Sequence, residues 1–515
     1  MTSGLHHITA ITRKIQANVD FYCGFLGLRL VKRTGGFEDA AQLHLFYGDA
    51  VASPGSLVSF LAWEDGSPGR VGHGAASEIA FAIRPQAIGF WLTRALQSGI
   101  GTEGPAMEFG EPVLRLKDPD GIIIKLVGTE TVRGGAPWGV RGIEVEDAIL
   151  ALRGATLLSE HPAETAGFLT RHGGFTAAET AGSITRMTSQ SGQILDVRDA
   201  TGFWPAAPGT GAIDHVALRL PDVAAVNGEV KALAAEGIDA VNVHDRKYFY
   251  SLYVREPAGG LIELATDDGP GFAVDEPLET LGTTLFIPEH FSLRREGIVP
   301  MLPQFGLPGE PRILYRDLPF VHRIHEAEVP DGSTLVLLHG TGGNEASLLT
   351  LGRKILPAAT LIGLRGRATE EGVARFFRRL GPMQFDQADI RAEAEAFAGF
   401  LEQAGHAYGL ASGKTAFLGY SNGANLLAAA MELHPGLVHR AVLLRPMAVL
   451  EPEPASNLAG ADVLIVAGDE DPYLGHSEQL AERLMRAGAD VSYKRVATGH
   501  ALSDEDVAVA REFLR

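Results

Sequence analysis

Short extended segments of one kind return along the first half of the chain: LHHITAITR from Leu5, SEIAFAIRP from Ser77 and IDHVALRLP from Ile213. Helix candidates follow the motif; IQANVDFYCGFLG sets Ile15, Val19, Tyr22 and Leu26 at helical spacing, and AVNGEVKALAAEG does the same before Gly237. The stretches DPDGIIIKLVG, QSGQILDVRD and EPAGGLIELAT each place a glycine-containing turn before a short strand, with a polar residue at nearly the same offset. A period of about 55 to 70 residues predicts four βαβββ units at residues 1–66, 67–130, 138–200 and 210–268. The third carries the faintest pattern, because RGIEVEDAILAL has no clear helix start.

From about residue 331 the pattern changes. STLVLLHGTGGNE is a buried strand ending in a glycine-rich turn, the helical ADIRAEAEAFAGFLEQAG leads to the strand KTAFL, and AVLLRP and DVLIVAGDEDP follow. Strands alternating with helices of ten or more residues predict a mostly parallel α/β sheet. Residues 270–310 are proline-punctuated yet apolar throughout, which suits a packed extension and linker. The expected division is a first pair of βαβββ units at 1–130, a second pair with the extension at 131–305, a linker at 306–330 and an α/β domain at 331–515.

With 44 Lys and Arg against 63 Asp and Glu, the formal net charge of -19 disfavours nucleic acid or an anionic membrane as a partner. Cys23 is the only cysteine, so an intrachain disulfide is out of reach and a reducing compartment suits the composition. The opening MTSGLHHITAITRKIQ lacks the regions of a secretory signal, and no window approaches about 18 consecutive apolar residues. A cytoplasmic protein without a membrane span is expected; a homo-oligomer stays open.

Overlaying LHHITAIT on IDHVALRL places His7 on His215 and His6 on Asp214. Successive strand side chains point to opposite faces, so Val216, Leu218 and Leu220 share the helix-packed face and His215 turns away from it. In the closing strand, Ile262 and Leu264 take the core face and leave Glu263 beside the histidine. At the Glu263 offset the other units offer Lys125, Asp196 and Phe60, and at the His7 offset the second offers Ile79. Only the first and fourth units together supply two imidazoles and a carboxylate, the set that leaves open positions on Fe(II); Mn(II) or Zn(II) would accept the same atoms. The two units, more than 150 residues apart, are therefore expected to meet around one cup.

Residues 1 to about 305 resemble the ring-cleaving dioxygenases of the vicinal-oxygen-chelate superfamily, in particular the hydroquinone-cleaving branch. The features that carry the likeness are LHHIT, VDFYCGFLGLRLVKRT, LHLFYGD, DHVAL, DRKYFYSLYVREPAGGLIELATD and GFAVDEPLETLG. The resemblance implies Fe(II) on His7, His215 and Glu263, with Thr9, Arg246 and Tyr253 in the pocket or just behind the ligands. Asp214 stands where members of the family often carry a second histidine. His6 is left with a proton-relay or packing role, and strict strand alternation points it away from His7. The implied substrates are dioxygen and a small aromatic diol, a para-diol in preference to a catechol.

In the second half, GYSNG at Gly419 to Gly423 matches G-x-S-x-G, with a strand before it and the helical ANLLAAAMEL after it. This setting exposes Ser421 as a nucleophile at a sheet edge. VAGDEDP offers Asp469 and Asp471, and ATGHALSDE offers His500, in the hydrolase order Ser, Asp, His. Residues 331–515 resemble the phospholipase/carboxylesterase branch of α/β-hydrolases, which favours Asp471 over Asp469 as the acid that orients His500. Backbone donors near Thr341 in HGTGGNE, with the amide of Asn422, make an oxyanion hole. Arg375, Arg378 and Arg379 read as a solvated face rather than a cap that attracts acidic substrates.

The sequence thus predicts a bifunctional enzyme, an iron-dependent ring-cleaving dioxygenase joined to a serine carboxylesterase acting on a related acyl compound. Rival readings are an esterase carrying a vestigial metal- or quinone-binding cup, and a non-enzymatic quinone-binding resistance protein.

Overall fold

The computed structural model describes residues 4–132, 137–139, 142–381 and 383–515. It divides into two compact units: Met1–Leu293 with Phe305–Arg312, and Arg294–Gln304 with Ile313–Arg515.

In the first unit a strand, a helix and three strands follow one another repeatedly. Strands β1 Leu5–Thr12, β2 Arg29–Gly35, β3 Leu43–Gly48 and β4 Leu57–Ala62 come first, and β5 Ala75–Ile83, β6 Thr102–Glu108, β7 Glu111–Lys117 and β8 Ile123–Gly128 come next. They are followed by β9 Ala151–Ser159, β10 Thr176–Ala181, β11 Ile184–Thr188 and β12 Ile194–Asp199, then by β13 Ile213–Leu220, β14 Ala240–Asp245, β15 Tyr250–Arg255 and β16 Leu261–Thr266. A nine-stranded sheet joins the first group to the last in the order β14-β15-β16-β13-β1-β4-β3-β2-β17, where β17 is Leu285–Phe286. An eight-stranded sheet, β10-β11-β12-β9-β5-β8-β7-β6, holds the middle two groups. The third group starts later than its sequence suggested: its strand begins at Ala151 and its helix spans Pro162–His172, with proline in the first turn.

Every position of β1 is buried, the strand lying at the centre of its sheet between β13 and β4. Apolar residues fill the helix-side face as alternation requires; Val216, Leu218, Ile262 and Leu264 are at most 1 % exposed. The Ile15, Val19, Tyr22, Leu26 stripe is buried too, although the helix runs only over Ile15–Val19 before widening into a π turn at Asp20–Phe25. The proline-rich extension packs as expected, with Phe272 and Leu281 buried and Asp275 holding Lys32 and the Tyr248 hydroxyl at 2.7 and 2.6 Å.

Strand register corrects two offsets. Ala217 pairs with Glu263, and Thr9, its counterpart in the first group, pairs with Ser59. Ser59, not Phe60, therefore occupies the Glu263 position, and Phe60 lies on the core face against Tyr22 and Tyr47. In the eight-stranded sheet Ala80 pairs with Lys125 and Thr156 with Asp196, so Glu78, not Ile79, occupies the His7 position. Gly154 there takes the place of His215. Lys125 lies 2.8 Å from Glu108 and 3.6 Å from Asp196, and Arg186 bridges Asp196 and Glu111. The second cup is thus filled by mutually neutralising ion pairs.

The second unit carries a seven-stranded sheet in the order β18-β20-β19-β25-β26-β27-β28. The strands are β18 His322–His325, β19 Thr334–Leu338, β20 Thr360–Leu364, β25 Thr415–Tyr420, β26 Arg440–Leu444, β27 Asp462–Gly468 and β28 Asp490–Val496, with short hairpins β21 Ala368–Glu370, β22 Val373–Arg375, β23 Arg379–Gly381 and β24 Gln384–Phe385 between. All neighbours in the seven-stranded sheet are parallel except β18, which runs antiparallel to β20 and takes the sheet back to His322, before the expected start at 331. Helices at Leu349–Ile355, Gln387–Tyr408, Asn422–Leu433, Leu474–Arg486 and Asp504–Leu514 pack apolar layers onto both faces. No helix among the described residues is long and apolar enough to cross a membrane.

Candidate active sites

The first site lies where β1 and β13 run antiparallel at the centre of the nine-stranded sheet. Thr9 pairs with His215 and His7 with Ala217, and β16 lies beside β13 with Glu263 opposite Ala217. His7 Nε2 and His215 Nε2 are 3.3 Å apart, and Glu263 Oε2 is 3.0 and 3.2 Å from them. All three side chains are buried. Neither Glu263 oxygen receives a well-aligned hydrogen bond despite these short distances, and the carboxylate is wholly inaccessible. An orphaned anion at that depth is costly unless a cation joins it. Ligands on bonds of about 2.0–2.2 Å at right angles lie about 3 Å apart, so the spacing of the three atoms suits one divalent ion.

The far side of each imidazole is also engaged. His6 Nδ1 is 2.9 Å from His7 Nδ1, and His215 Nδ1 is 2.7 Å from Asp214 Oδ2. Alternation pointed His6 away from His7, but β1 is bulged against β13 between Leu5 and His7, which brings the two rings edge to face at 5.1 Å. Burial, reinforced by His7, pushes the His6 imidazole down to about 3, so it is neutral and free to accept a proton-bearing nitrogen. Burial also lowers His7, against the pull of Glu263. Burial opposes charge on His215 as well, but its contact with the Asp214 carboxylate and the nearby Glu263 charge outweigh that and raise it to about 9. The two histidines hold Glu263 well below the ordinary carboxylate range in spite of its burial.

A cavity of about 1220 Å³ opens above the cluster, lined in part by His7, Thr9, His215, Asp214, Arg246 and Tyr253. Arg246 lies over the Phe37 and Tyr253 rings, and its Nη1 is 3.2 Å from Glu38. Burial and the Glu263 charge push the Tyr253 phenol up, which keeps its proton in place. Thr9 Oγ1 is 2.8 Å from Ser59 Oγ, which is 3.1 Å from His44 Nε2. His44 was missed from sequence, although the alternation in LHLFYGD sets it on the cup face of β3; burial, with His7 next, lowers its imidazole to about 3. His6 does not line the cavity; it stands behind His7.

The second site forms at the tip of β25. Ser421 has φ 50 and ψ -113, a strained turn between the strand and the helix Asn422–Leu433. The flanking glycines are required by contact: a Cβ on Gly419 would come 2.6 Å from the Ala424 backbone, and one on Gly423 would come 2.2 Å from the Leu338 carbonyl. Ser421 Oγ is 3.0 Å from His500 Nε2, and His500 Nδ1 is 2.9 Å from the buried Asp471 carboxylate. Asp469 is turned away, half-exposed and paired with Arg495. Thr341 follows the tip of β19, and the Asn422 side chain is fixed by accepting the Phe376 amide at 2.7 Å. Of the three arginines, Arg378 and Arg379 are solvated and paired with carboxylates, but Arg375 is buried and donates to Thr341 Oγ1 at 2.9 Å.

Fold and clusters together define the class: a glyoxalase-type vicinal-oxygen-chelate domain fused to a phospholipase/carboxylesterase-type α/β-hydrolase domain. The chain belongs to the Glyoxalase/Bleomycin resistance protein/Dioxygenase superfamily, whose model matches residues 4–126, and to the Phospholipase/Carboxylesterase family, whose model matches 321–515. Its first part is 33 % identical over 308 residues to the Bacillus subtilis protein named "Putative ring-cleaving dioxygenase MhqE", spanning 59 % of this chain and 99 % of that one. Its second part is 37 % identical over 194 residues to "Putative hydrolase MhqD" of the same organism, spanning 37 % of this chain and 96 % of that one. The chlorohydroquinone/hydroquinone 1,2-dioxygenase of Sphingobium indicum is 28 % identical over 296 residues, covering 54 % of this chain and 89 % of that one.

Proposed function

We propose that the chain is a bifunctional enzyme: an Fe(II)-dependent dioxygenase that opens a hydroquinone-like para-diol at His7, His215 and Glu263, and a serine carboxylesterase at Ser421, His500 and Asp471. The observation that carries the first half is the orphaned Glu263 carboxylate within 3.2 Å of two imidazole nitrogens beneath a large cavity. Likeness to a relative named a putative ring-cleaving dioxygenase, and to another named a chlorohydroquinone/hydroquinone 1,2-dioxygenase, supports it. The four strand–helix–strand groups read as four βαβββ modules, with the first and fourth forming the working cup.

Fe(II), when bound, supplies open coordination positions and the electron transfer that ring oxidation by dioxygen requires. The protein's own part is orientation. His7 Nδ1–H donates to His6 Nδ1, which leaves His7 Nε2 with a free lone pair, and Asp214 does the same for His215. A para-diol keeps its second hydroxyl away from the ligands, where Arg246 and protonated Tyr253 are placed to hold it. Ring planes pack against Phe37 and Phe249 on the cavity wall.

In the hydrolase, His500 Nε2 takes the Ser421 proton as Oγ bonds to the acyl carbon, then returns it to the departing oxygen; water repeats the cycle and releases the acid. Asp471 holds the His500 tautomer, and the amides of Thr341 and Asn422 receive the developing oxyanion. The acyl substrate is one chemically related to the ring-cleavage product. We assign the cytoplasm as the compartment, with no nucleic-acid partner.

Oxygen uptake by anaerobically iron-loaded protein tests the first half. Hydroquinone is expected to turn over faster than catechol; equal or faster turnover of catechol overturns the para-diol assignment. Replacing His6 by Phe is expected to weaken Fe(II) binding by about 10- to 100-fold, the usual effect of losing an outer partner of a ligating histidine. Competitive chelator titration reads the change, and unaltered affinity would remove His6 from that role.

A further inference from the structure

Strand β26 sends two successive contacts into the serine site. The Leu444 carbonyl accepts the Ser421 amide at 2.8 Å. The next residue, Arg445, turns off the sheet with φ 53, its amide still donating to the Val466 carbonyl at 2.9 Å, and its side chain is wholly buried. Its guanidinium donates from Nε to the Gly499 carbonyl at 3.0 Å and from Nη2 to the Ala501 carbonyl at 3.1 Å, the two peptide oxygens that flank His500. The His500 carbonyl accepts from the Tyr420 hydroxyl at 3.0 Å. Asp506 grips the fork at 2.7 and 3.0 Å, and its Oδ2 also accepts the Ser503 amide and hydroxyl.

From this geometry we infer that Arg445 is a positioning residue that registers the His500 loop against Ser421. The His500 side chain is 34 % exposed, so burial alone does not fix it. A buried ion pair adds little net stability over an apolar pair of the same volume, so stability does not account for an arginine here. What arginine adds is a planar fork with five donors, able to hold two carbonyls and a carboxylate at once; lysine offers a single point of charge. One end of β26 thereby sets both the nucleophile, through Leu444, and the base, through Arg445. The apolar run AVLLRPM carried the signal, a lone charge at the end of a buried strand.

The inference rests on reading Ser421, His500 and Asp471 as the hydrolytic triad. Full-length parent, Arg445→Lys, the double variant Arg445→Met with Asp506→Leu, and Ser421→Ala are compared in hydrolysis of p-nitrophenyl acetate. Folded serines are counted by fluorophosphonate labelling carried to its end point, so that a displaced base slows the labelling and only a misfolded fraction lowers the final count. The double variant is expected to lose about 100-fold in kcat per labelled serine, the scale of a 1 Å displacement, with KM within about twofold. Arg445→Lys, which keeps the charge but gathers its donors on one nitrogen, is expected to retain an intermediate rate. Parent kcat per labelled serine in Arg445→Lys and in the double variant, or a loss that only follows the labelled fraction, overturns the inference alone. Should the double variant fail to fold, Arg445→Lys decides by the same criterion. Hydrolysis retained by Ser421→Ala would remove the triad reading, and the inference with it.

Discussion

Ser421→Ala is expected to lower ester hydrolysis by at least about 10⁴-fold, because loss of a serine nucleophile leaves only the oxyanion donors and binding to assist the reaction. Oxygen uptake with hydroquinone is expected to stay at the parent rate in the same variant. The separation is expected because each cluster is complete within its own unit: Ser421, His500 and Asp471 in one, His7, His215 and Glu263 in the other. The strained φ of Ser421 and the tight packing at Gly419 and Gly423 mean that alanine at 421 changes one oxygen atom and little else. Hydrolysis of p-nitrophenyl esters measured beside oxygen uptake on the same preparation checks both halves of the expectation. A Ser421→Ala enzyme that keeps its esterase rate would contradict it.

Much of this arrangement was legible in the sequence for a simple reason: strand side chains alternate with period two, and the repeats can be laid on one another. That is how His7 and His215 were matched and how Glu263 was found in a distant strand. The G-x-S-x-G turn was legible because its glycines meet backbone on both sides. What alternation could not show is where it fails. The bulge between Leu5 and His7 turns His6 toward its neighbour, and register alone distinguishes Ser59 from Phe60 and Glu78 from Ile79. Charge patterns were harder still. Lys125 and Asp196 read as departures from a metal site, whereas the structure makes them part of an ion-pair network that fills the second cup. Arg375 was grouped with its solvated neighbours and proves buried beside Thr341.

Glu263→Ala is expected to have the converse effect. It removes the one carboxylate of the three-residue cluster, so Fe(II) is expected to be held by too few atoms to stay bound. Affinity is expected to fall by more than the roughly 10- to 100-fold that loss of an outer partner costs. Oxygen uptake is then expected to disappear, and ester hydrolysis to remain within about twofold of the parent, since residues with no shared partners act additively and Ser421, His500 and Asp471 belong to the other unit. The iron content of parent and Glu263→Ala protein, each loaded anaerobically and then desalted, tests the centre itself. The parent is expected to retain about one iron per chain, as the one three-ligand cluster among the described residues requires, and the variant next to none. A Glu263→Ala protein that keeps its iron and its full rate of oxygen uptake would contradict the assignment.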